Sequence, residues 1–346
     1  MRGRGITRRT AMMGASSLAV SGVQVGAFSA PGEARAPLLK TQAPYFYRFA
    51  HGTMQVTMVS DGPIWLEDPS AAFFGASKEE LSQLLADNFL APTNILFDQN
   101  SPVVNTGSNL ILFDTGLGTE KMFGTTQGRL VQSLREAGIQ PGQIDSIVIS
   151  HAHIDHIGGL VDAASRRLFP NATIYINQTD FDFWTDETEA KTKPKPFVTH
   201  ARKNLLPYRD RIKFIRDGQE FLPGVTAMAT PGHTIGHMIF MITSENKTFC
   251  FTGDLTHHPV LMVQRPRIEF AYDTDPKQSA ETRVRTLTML AEKRIPIVSF
   301  HFPWPGLGHI SKQGDGFRYH PSTMEIVTRP PAVPQKPAAG AAPKAK

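Results

Sequence analysis

His151-Ala152-His153-Ile154-Asp155-His156-Ile157-Gly158-Gly159 follows directly on the apolar run 144–150. Four groups able to hold a metal fall within six residues, at the end of a segment whose pattern predicts a short buried strand. Imidazole and carboxylate donors suit zinc, manganese, iron or cobalt, whereas calcium needs mainly oxygen ligands. Three histidines and an aspartate are too many for a casual surface loop. One such loop is also too short to complete a pair of metal sites, so further ligands must arrive from elsewhere in the chain.

Candidates stand at the ends of later apolar runs: His233 in Thr230-Pro231-Gly232-His233-Thr234, Asp254 in Phe251-Thr252-Gly253-Asp254, and His301 after 297–300. The glycines before His233 and Asp254 allow sharp turns and close backbone approach. Each residue alone reads as an ordinary polar loop residue; with the 151–156 cluster, in this order, the joint reading is far stronger. Around them, the alternating pattern at 45–60 ends at the turn Asp61-Gly62-Pro63. Strands are predicted at 109–113, 144–150, 172–176, 212–215, 225–229, 237–243, 248–252 and 295–300. Helices are predicted at 78–88, 127–138, 178–185, 198–205 and 278–293. Interleaved strands and helices indicate an α/β layered protein.

The chain has 346 residues, 40% of them apolar and 19% charged, enough to bury a substantial core. Its 22 Phe argue against wholesale disorder, and its 28 Gly and 26 Pro show no collagen period. The net charge of +5 sits at the ends: residues 1–36 carry five arginines against Glu33, and 329–346 carry four cations and no acid, which leaves 37–328 at −3. A slightly acidic body gives no platform for phosphate backbones, which excludes a general nucleic-acid partner and disfavours a nuclease. One cysteine, Cys250, permits neither an internal disulfide nor a multi-thiolate site, and its apolar surroundings mark a buried small hydrophobe.

At the N-terminus, Thr7-Arg8-Arg9-Thr10 and the mildly apolar run to about Ala30 fit an export signal of twin-arginine type over 1–36, so a periplasmic or secreted location is expected. Gly, Ser and Gln interrupt the run, which argues against a stable membrane span. The Pro/Ala/Lys-rich stretch 329–346 reads as a disordered tail, leaving 37–328 as the domain.

From about residue 45 to 320 the sequence resembles the metallo-β-lactamase superfamily of metallohydrolases. The resemblance implies a four-layer αββα sandwich with the active site along one sheet edge. It implies two divalent ions, zinc first, with manganese, cobalt or iron as alternatives. His151, His153 and His233 would hold one, Asp155, His156 and His301 the other, and Asp254 would bridge them. The turn Asp114-Thr115-Gly116 matches a supporting aspartate of the family. Phe123-Gly124-Thr125, Gly128-Arg129-Leu130, Asp182-Phe183-Trp184 and the run from His301-Phe302-Pro303-Trp304 to His309-Ile310 look like the methyl parathion hydrolase and lactonase-like subgroup. That likeness implies an aromatic substrate pocket at Phe123, Trp184 and Phe197, and a possible homodimer.

The expected reaction is hydrolysis of apolar esters or lactones, such as acyl-homoserine lactones, by a metal-bridging hydroxide, with Asp254 fixing the metals and Asp155 as proton shuttle. Phosphotriester hydrolysis is the alternative. An aspartate at position 254 counts against a β-lactamase, and the complete ligand set counts against a non-catalytic metal-binding protein. His257 and His258 are expected in a solvated loop, His237 beside the ligands or in a strand, and His309 as a brace for His301. Segment 63–100, rich in aromatics, has the look of a lid or a dimer contact.

Overall fold

Alternation along the central strands decides the layering. In the strand Ser146–Val148 and the residue after it, Ile147 and Ile149 face one apolar cluster while Val148 faces another. In Lys247–Phe251, Phe249 and Phe251 face the second cluster and Cys250 a third. A strand that is apolar on both faces must be covered on both, which requires layers on either side.

The computed structural model describes residues 45–188 and 194–325; the signal expected at 1–36 and the tail expected at 329–346 lie outside the described residues. Two seven-stranded sheets form the centre. The first runs, in spatial order, Phe46–His51, Met54–Ser60, Asn100–Asn105, Leu110–Phe113, Ser146–Val148, Thr173–Asn177, Ile212–Ile215. The second runs Glu220–Leu222, Val225–Ala229, Met238–Ser244, Lys247–Phe251, Ile297–Val298, Leu307–Gln313, Gly316–Pro321. Between them lies a core built from both, with Val56, Met58 and Phe113 of the first against Phe240, Phe249 and Phe251 of the second. Helices Leu130–Glu136, Gln178–Thr185 and Lys195–Leu205 cover the outer face of the first sheet through Leu134, Phe181 and Leu205. Helix Pro276–Glu292 covers the second through Leu287 and Leu290. This is the αββα sandwich.

The parallel stretches place the site. Leu110–Phe113, Ser146–Val148 and Thr173–Asn177 run side by side in parallel, as do Lys247–Phe251 and Ile297–Val298 in the other sheet. The loops leaving these strands carry Asp114, the 151–156 cluster, Asp254 and His301 to one edge of the sandwich.

Three parts differ from the sequence expectation. The 45–60 stretch is a hairpin that turns after His51, not one strand. A final hairpin, Leu307–Gln313 with Gly316–Pro321, closes the second sheet with Gly316–Pro321 at its edge; the polar residues His309, Ser311 and Lys312 hid it. Segment 63–100 forms a small cap with its own core. Strands Ile64–Leu66 and Ile95–Phe97 pair, Phe73–Phe74 pairs with Glu269–Phe270, and helix Lys78–Asp87 lies behind. That helix starts in a capping box: Glu80 N–H donates to Ser77 Oγ (3.1 Å) and Ser77 N–H to Glu80 Oε2 (2.8 Å). Leu81, Leu85, Phe73 and Phe97 pack there on Leu261, Ile268 and Phe270. No helix among the described residues is long and apolar enough to cross a membrane.

Candidate metal centre

All seven expected ligands are buried and converge. His151, His153 and His233 bring one donor atom each to within 4.8 Å of one another, as do Asp155, His156 and His301, and as do His151, His156 and Asp254. Asp254 Oδ2 lies 3.3 Å from the Nε2 atoms of His156, His233 and His301 and 3.8 Å from that of His151. Asp155 Oδ2 lies 3.3 Å from His301 Nε2. The donor set fits divalent ions on an observation independent of resemblance. His156 Nε2 and Asp254 Oδ1 are buried with no hydrogen-bond partner, and the Nε2 atoms of His151 and His233 face each other at 3.1 Å. Orphaned buried polar atoms cost about 1–3 kcal/mol each, and a cation satisfies all of them.

The imidazoles of His156, His233 and His301 are each aimed by a partner on the Nδ1 side, which leaves Nε2 for the centre. His156 Nδ1 lies 2.8 Å from Asp114 Oδ2, and Ser150 donates to the same carboxylate through N–H (2.8 Å) and Oγ–H (2.6 Å). His233 Nδ1 lies 2.7 Å from Asp273 Oδ1, and His301 Nδ1 lies 3.0 Å from the Asp98 carbonyl. Asp254 N–H donates to His237 Nε2 (3.0 Å), so His237 carries its proton on Nδ1 and gives it to Thr230 Oγ1 (2.8 Å). Asp180 ties two ligand loops together, accepting from Ala152 N–H at 2.6 Å and Gly236 N–H at 3.1 Å. The glycine before Asp254 is required: Gly253 sits at φ +47°, and a Cβ there would come within 2.9 Å of His237 Nε2 and Ser150 Cβ.

The electrostatics are those of a basin short of positive charge. Burial pushes His233 and His301 down, but Asp254, with Asp273 for the first and Asp155 for the second, outweighs it and brings both up to about 9. Burial raises Asp155, yet His156 and His301 overcome it and hold it below the ordinary carboxylate range. Burial dominates at His257, pushed down to about 4, and at His237, pushed down to about 3.

Above these groups opens a cleft of about 70 Å³. Its floor is His153, Asp155, His233, Asp254, His257 and His301. Its walls are Ile64, Trp65, Leu66 and Phe97 from the cap, Phe270 and Tyr272 opposite, and Phe123 and Phe197. Among the described residues no lysine or arginine lines it.

Four sequence expectations need correction or completion. Trp184 is not a wall residue: it is buried in the core under the first sheet, 5.0 Å from the His153 ring and 5.9 Å from Phe197, so it backs the site. His257 and His258 are not in a solvated loop. Both are buried, and His257 Nε2 stands 3.0 Å from Asp254 Oδ2, its ring packed at 4.0 Å against Phe270. His309 is exposed in the final hairpin, opposite His320 of the edge strand, and Asp98 takes the bracing role expected of it. Segment 63–100 supplies cleft wall. Asp98 and Asp273 escaped the sequence reading because each meets its histidine only through the fold; the three-residue spacing of His257 from Asp254 was the visible signal for the former's place on the floor.

Residues 95–300 match the model of the metallo-beta-lactamase superfamily. The chain is 26% identical over 271 residues to an N-acyl homoserine lactonase of Bacillus thuringiensis, covering 72% of this chain and 96% of that one. Among solved structures it resembles AidC, a dizinc quorum-quenching lactonase crystallised with an N-acyl homoserine product. The TM-score is 0.76 at 30% identity, with 81% of this chain and 98% of that one covered. It also resembles AbOPH, a hydrolase of the beta-lactamase superfamily, with a TM-score of 0.77 at 28% identity, covering 82% and 100%. On this match, and on the sandwich that carries the ligand cluster at its edge, the chain belongs to the metallo-beta-lactamase superfamily as one of its metal-dependent hydrolases.

Proposed function

We propose that the chain hydrolyses neutral lactones or esters carrying an apolar substituent, with acyl-homoserine lactones as the type substrate. His151, His153 and His233 would hold one divalent ion, Asp155, His156 and His301 a second, and Asp254 would serve both. Zinc is the first assignment, on the likeness to the dizinc lactonase AidC, and the donor set also accepts manganese, cobalt or iron. The observation that carries the reading is the union of this donor cluster with a cleft that the described residues wall with aromatic and aliphatic side chains.

Two ions bound there supply an acidified water and Lewis-acid stabilisation of the attacked carbonyl. The protein's own residues do the rest. Ile64, Trp65, Leu66 and Phe97 hold the apolar substituent against Phe270 and exclude water from the floor. Asp155 borders the cleft with a carboxylate held ionised by His156 and His301, placed to take the proton released on attack and return it to the leaving alkoxide. His257 presents its Nε2 beside Asp254 to the substrate's polar end. As part of the same proposal, the protein is exported and works in the periplasm or outside the cell, a reading supported by the twin-arginine-like Arg8-Arg9.

The test compares kcat/KM for a long-chain acyl-homoserine lactone and a nitrophenyl phosphotriester on one metal-replete preparation. A lactone preference above about a hundredfold, roughly 2.7 kcal/mol of transition-state discrimination, is expected. The reverse ratio transfers the assignment to phosphotriesters, whose aryl leaving group Phe123 and Phe197 would then hold.

A further inference from the structure

Behind the ligand loops, helix Pro276–Glu292 carries Arg283, a fully buried guanidinium. Burying such an ion costs several kcal/mol unless its donors are used. Arg283 uses them on one short stretch of chain. Nε donates to the Leu255 carbonyl at 2.9 Å, Nη1 to those of Pro266 (2.9 Å) and Ile268 (2.7 Å), and Nη2 to Ser279 Oγ at 3.1 Å. Nη2 also stands 3.6 Å from Asp273 Oδ2. That oxygen is buried and has no hydrogen bond of its own, while Asp273 Oδ1 lies 2.7 Å from His233 Nδ1.

The two sets of contacts meet at the metal centre. Through Asp273, Arg283 reaches His233, whose Nε2 faces His151 and Asp254. Through the three carbonyls it brackets residues 255–268, the segment that carries His257 against Asp254. A helix needing only a buried anchor would be served by an apolar side chain at lower desolvation cost. A planar fork of donors that holds three carbonyls and faces a ligand's carboxylate is suited to fixing geometry.

We infer that Arg283 is a positioning residue for the metal centre: it fixes Asp273, and Asp273 orients His233 toward the ion. This rests on the dinuclear reading above, so one readout is taken without metal. In the metal-free full chain, nitrogen NMR of the imidazoles reports the His233 Nδ1–H bond to Asp273. In the loaded chain, zinc affinity is read by chelator competition, and the cobalt-substituted form by its visible spectrum. Arg283→Met is expected to perturb the His233 signal while those of His156 and His301 hold. Zinc should bind about 10–100-fold more weakly, the range for loss of an orienting partner, and the cobalt bands should shift. Asp273→Asn should give the same losses, and Arg283→Met added to it no further one. Arg283→Lys, which keeps a cation near Asp273 but not the three carbonyl bonds, should recover most of the zinc affinity while melting below wild type.

Wild-type zinc affinity and an unmoved His233 signal in Arg283→Met overturn the inference, as do losses that multiply in the double variant. Should Arg283→Met not fold, Arg283→Lys is read alone against Asp273→Asn. If neither Arg283 variant folds with zinc supplied while Asp273→Asn does, Arg283 belongs to the scaffold and the inference fails. A wild-type chain that binds no zinc but shows the His233 shift refutes the metal reading and leaves the positioning contact standing.

Discussion

Asp254→Asn removes one charge and almost no volume, so its effect on packing is small and its effect on metal is legible. A structural zinc site is worth about 10–16 kcal/mol over four ligands, hence about 3 kcal/mol per ligand, or roughly a hundredfold in dissociation constant. Asp254 Oδ2 stands 3.3 Å from His233 of one donor set and 3.3 Å from both His156 and His301 of the other. The loss therefore applies to each ion rather than once. The assay is metal content by mass spectrometry at a series of buffered free zinc concentrations, with lactone turnover measured at each. Wild type is expected to hold both ions where Asp254→Asn holds fewer than one. Raising free zinc about a hundredfold should restore occupancy ahead of turnover, because an amide cannot replace the carboxylate's charge between the ions. An Asp254→Asn protein that keeps both ions at wild-type free zinc, with turnover within about tenfold, refutes the placement of Asp254 at the centre.

Proton linkage gives a second expectation. In the metal-free protein His233 and His301 are raised to about 9 from 6.5, so their stabilisation is full below about pH 6.5 and lost as pH rises through 9. Metal-free protein should then melt at falling temperatures from pH 6.5 to 9 while the loaded form does not, and calorimetry in buffers of different ionisation enthalpy should show protons released as zinc binds at pH 7. A flat metal-free profile with no proton release contradicts it. His257→Phe keeps a ring against Phe270 but deletes Nε2. Metal content should hold while kcat falls about 100-fold, the lower end of the range for a positioned polar catalytic group; unchanged kcat removes His257 from the floor's chemistry. Leu85→Ala empties the fully buried centre of the cap core, at a cost of about 2–5 kcal/mol. The loss should fall first on the cap: local amide exchange over 64–97 speeds up and the preference for long acyl chains shrinks, while zinc affinity weakens through the link from Phe97 and Asp98 to His301. Uniform exchange across the sandwich would show that the cap has no separate stability.

The α/β layering was legible because the strands are short apolar runs, and the sandwich itself came through the family resemblance, whose main cue, residues 151–156, sits where a strand stops. Ligands could be named from position along the chain since each follows its own strand end. What orients them could not. Asp98 and Asp273 lie in irregular segments 203 and 40 residues from the histidines they hold, and an aspartate in a loop has no local pattern that says which face it will meet. Trp184 misled for a related reason: an aromatic on a helix beside a ligand loop is equally consistent with wall and core, and helix Gln178–Thr185 turns that face under the sheet. The cap was hidden by brevity, since strands of two or three residues show no period.

Those hidden residues share a property that bears on how the centre works. Asp98 precedes the buried strand end at Asn100, whose side-chain amide donates to the carbonyls of Ser299 (3.2 Å) and Phe302 (2.7 Å) on either side of His301. Asp98 itself takes Trp304 N–H on Oδ2 at 2.9 Å and His301 on its carbonyl. The strand just before it, Ile95–Phe97, is cap, and Phe97 lies 5.6 Å from the His301 ring. One ligand of the Asp155 set is thus aimed by the same few residues that form the cleft wall. On the other side, His233 is aimed by Asp273, which directly follows the wall residue Tyr272. Substrate that packs against either wall bears on a segment already holding a ligand. Metal geometry and substrate fit are therefore not separable properties here, and substitutions in the walls should be expected to alter zinc binding even where they touch no donor atom.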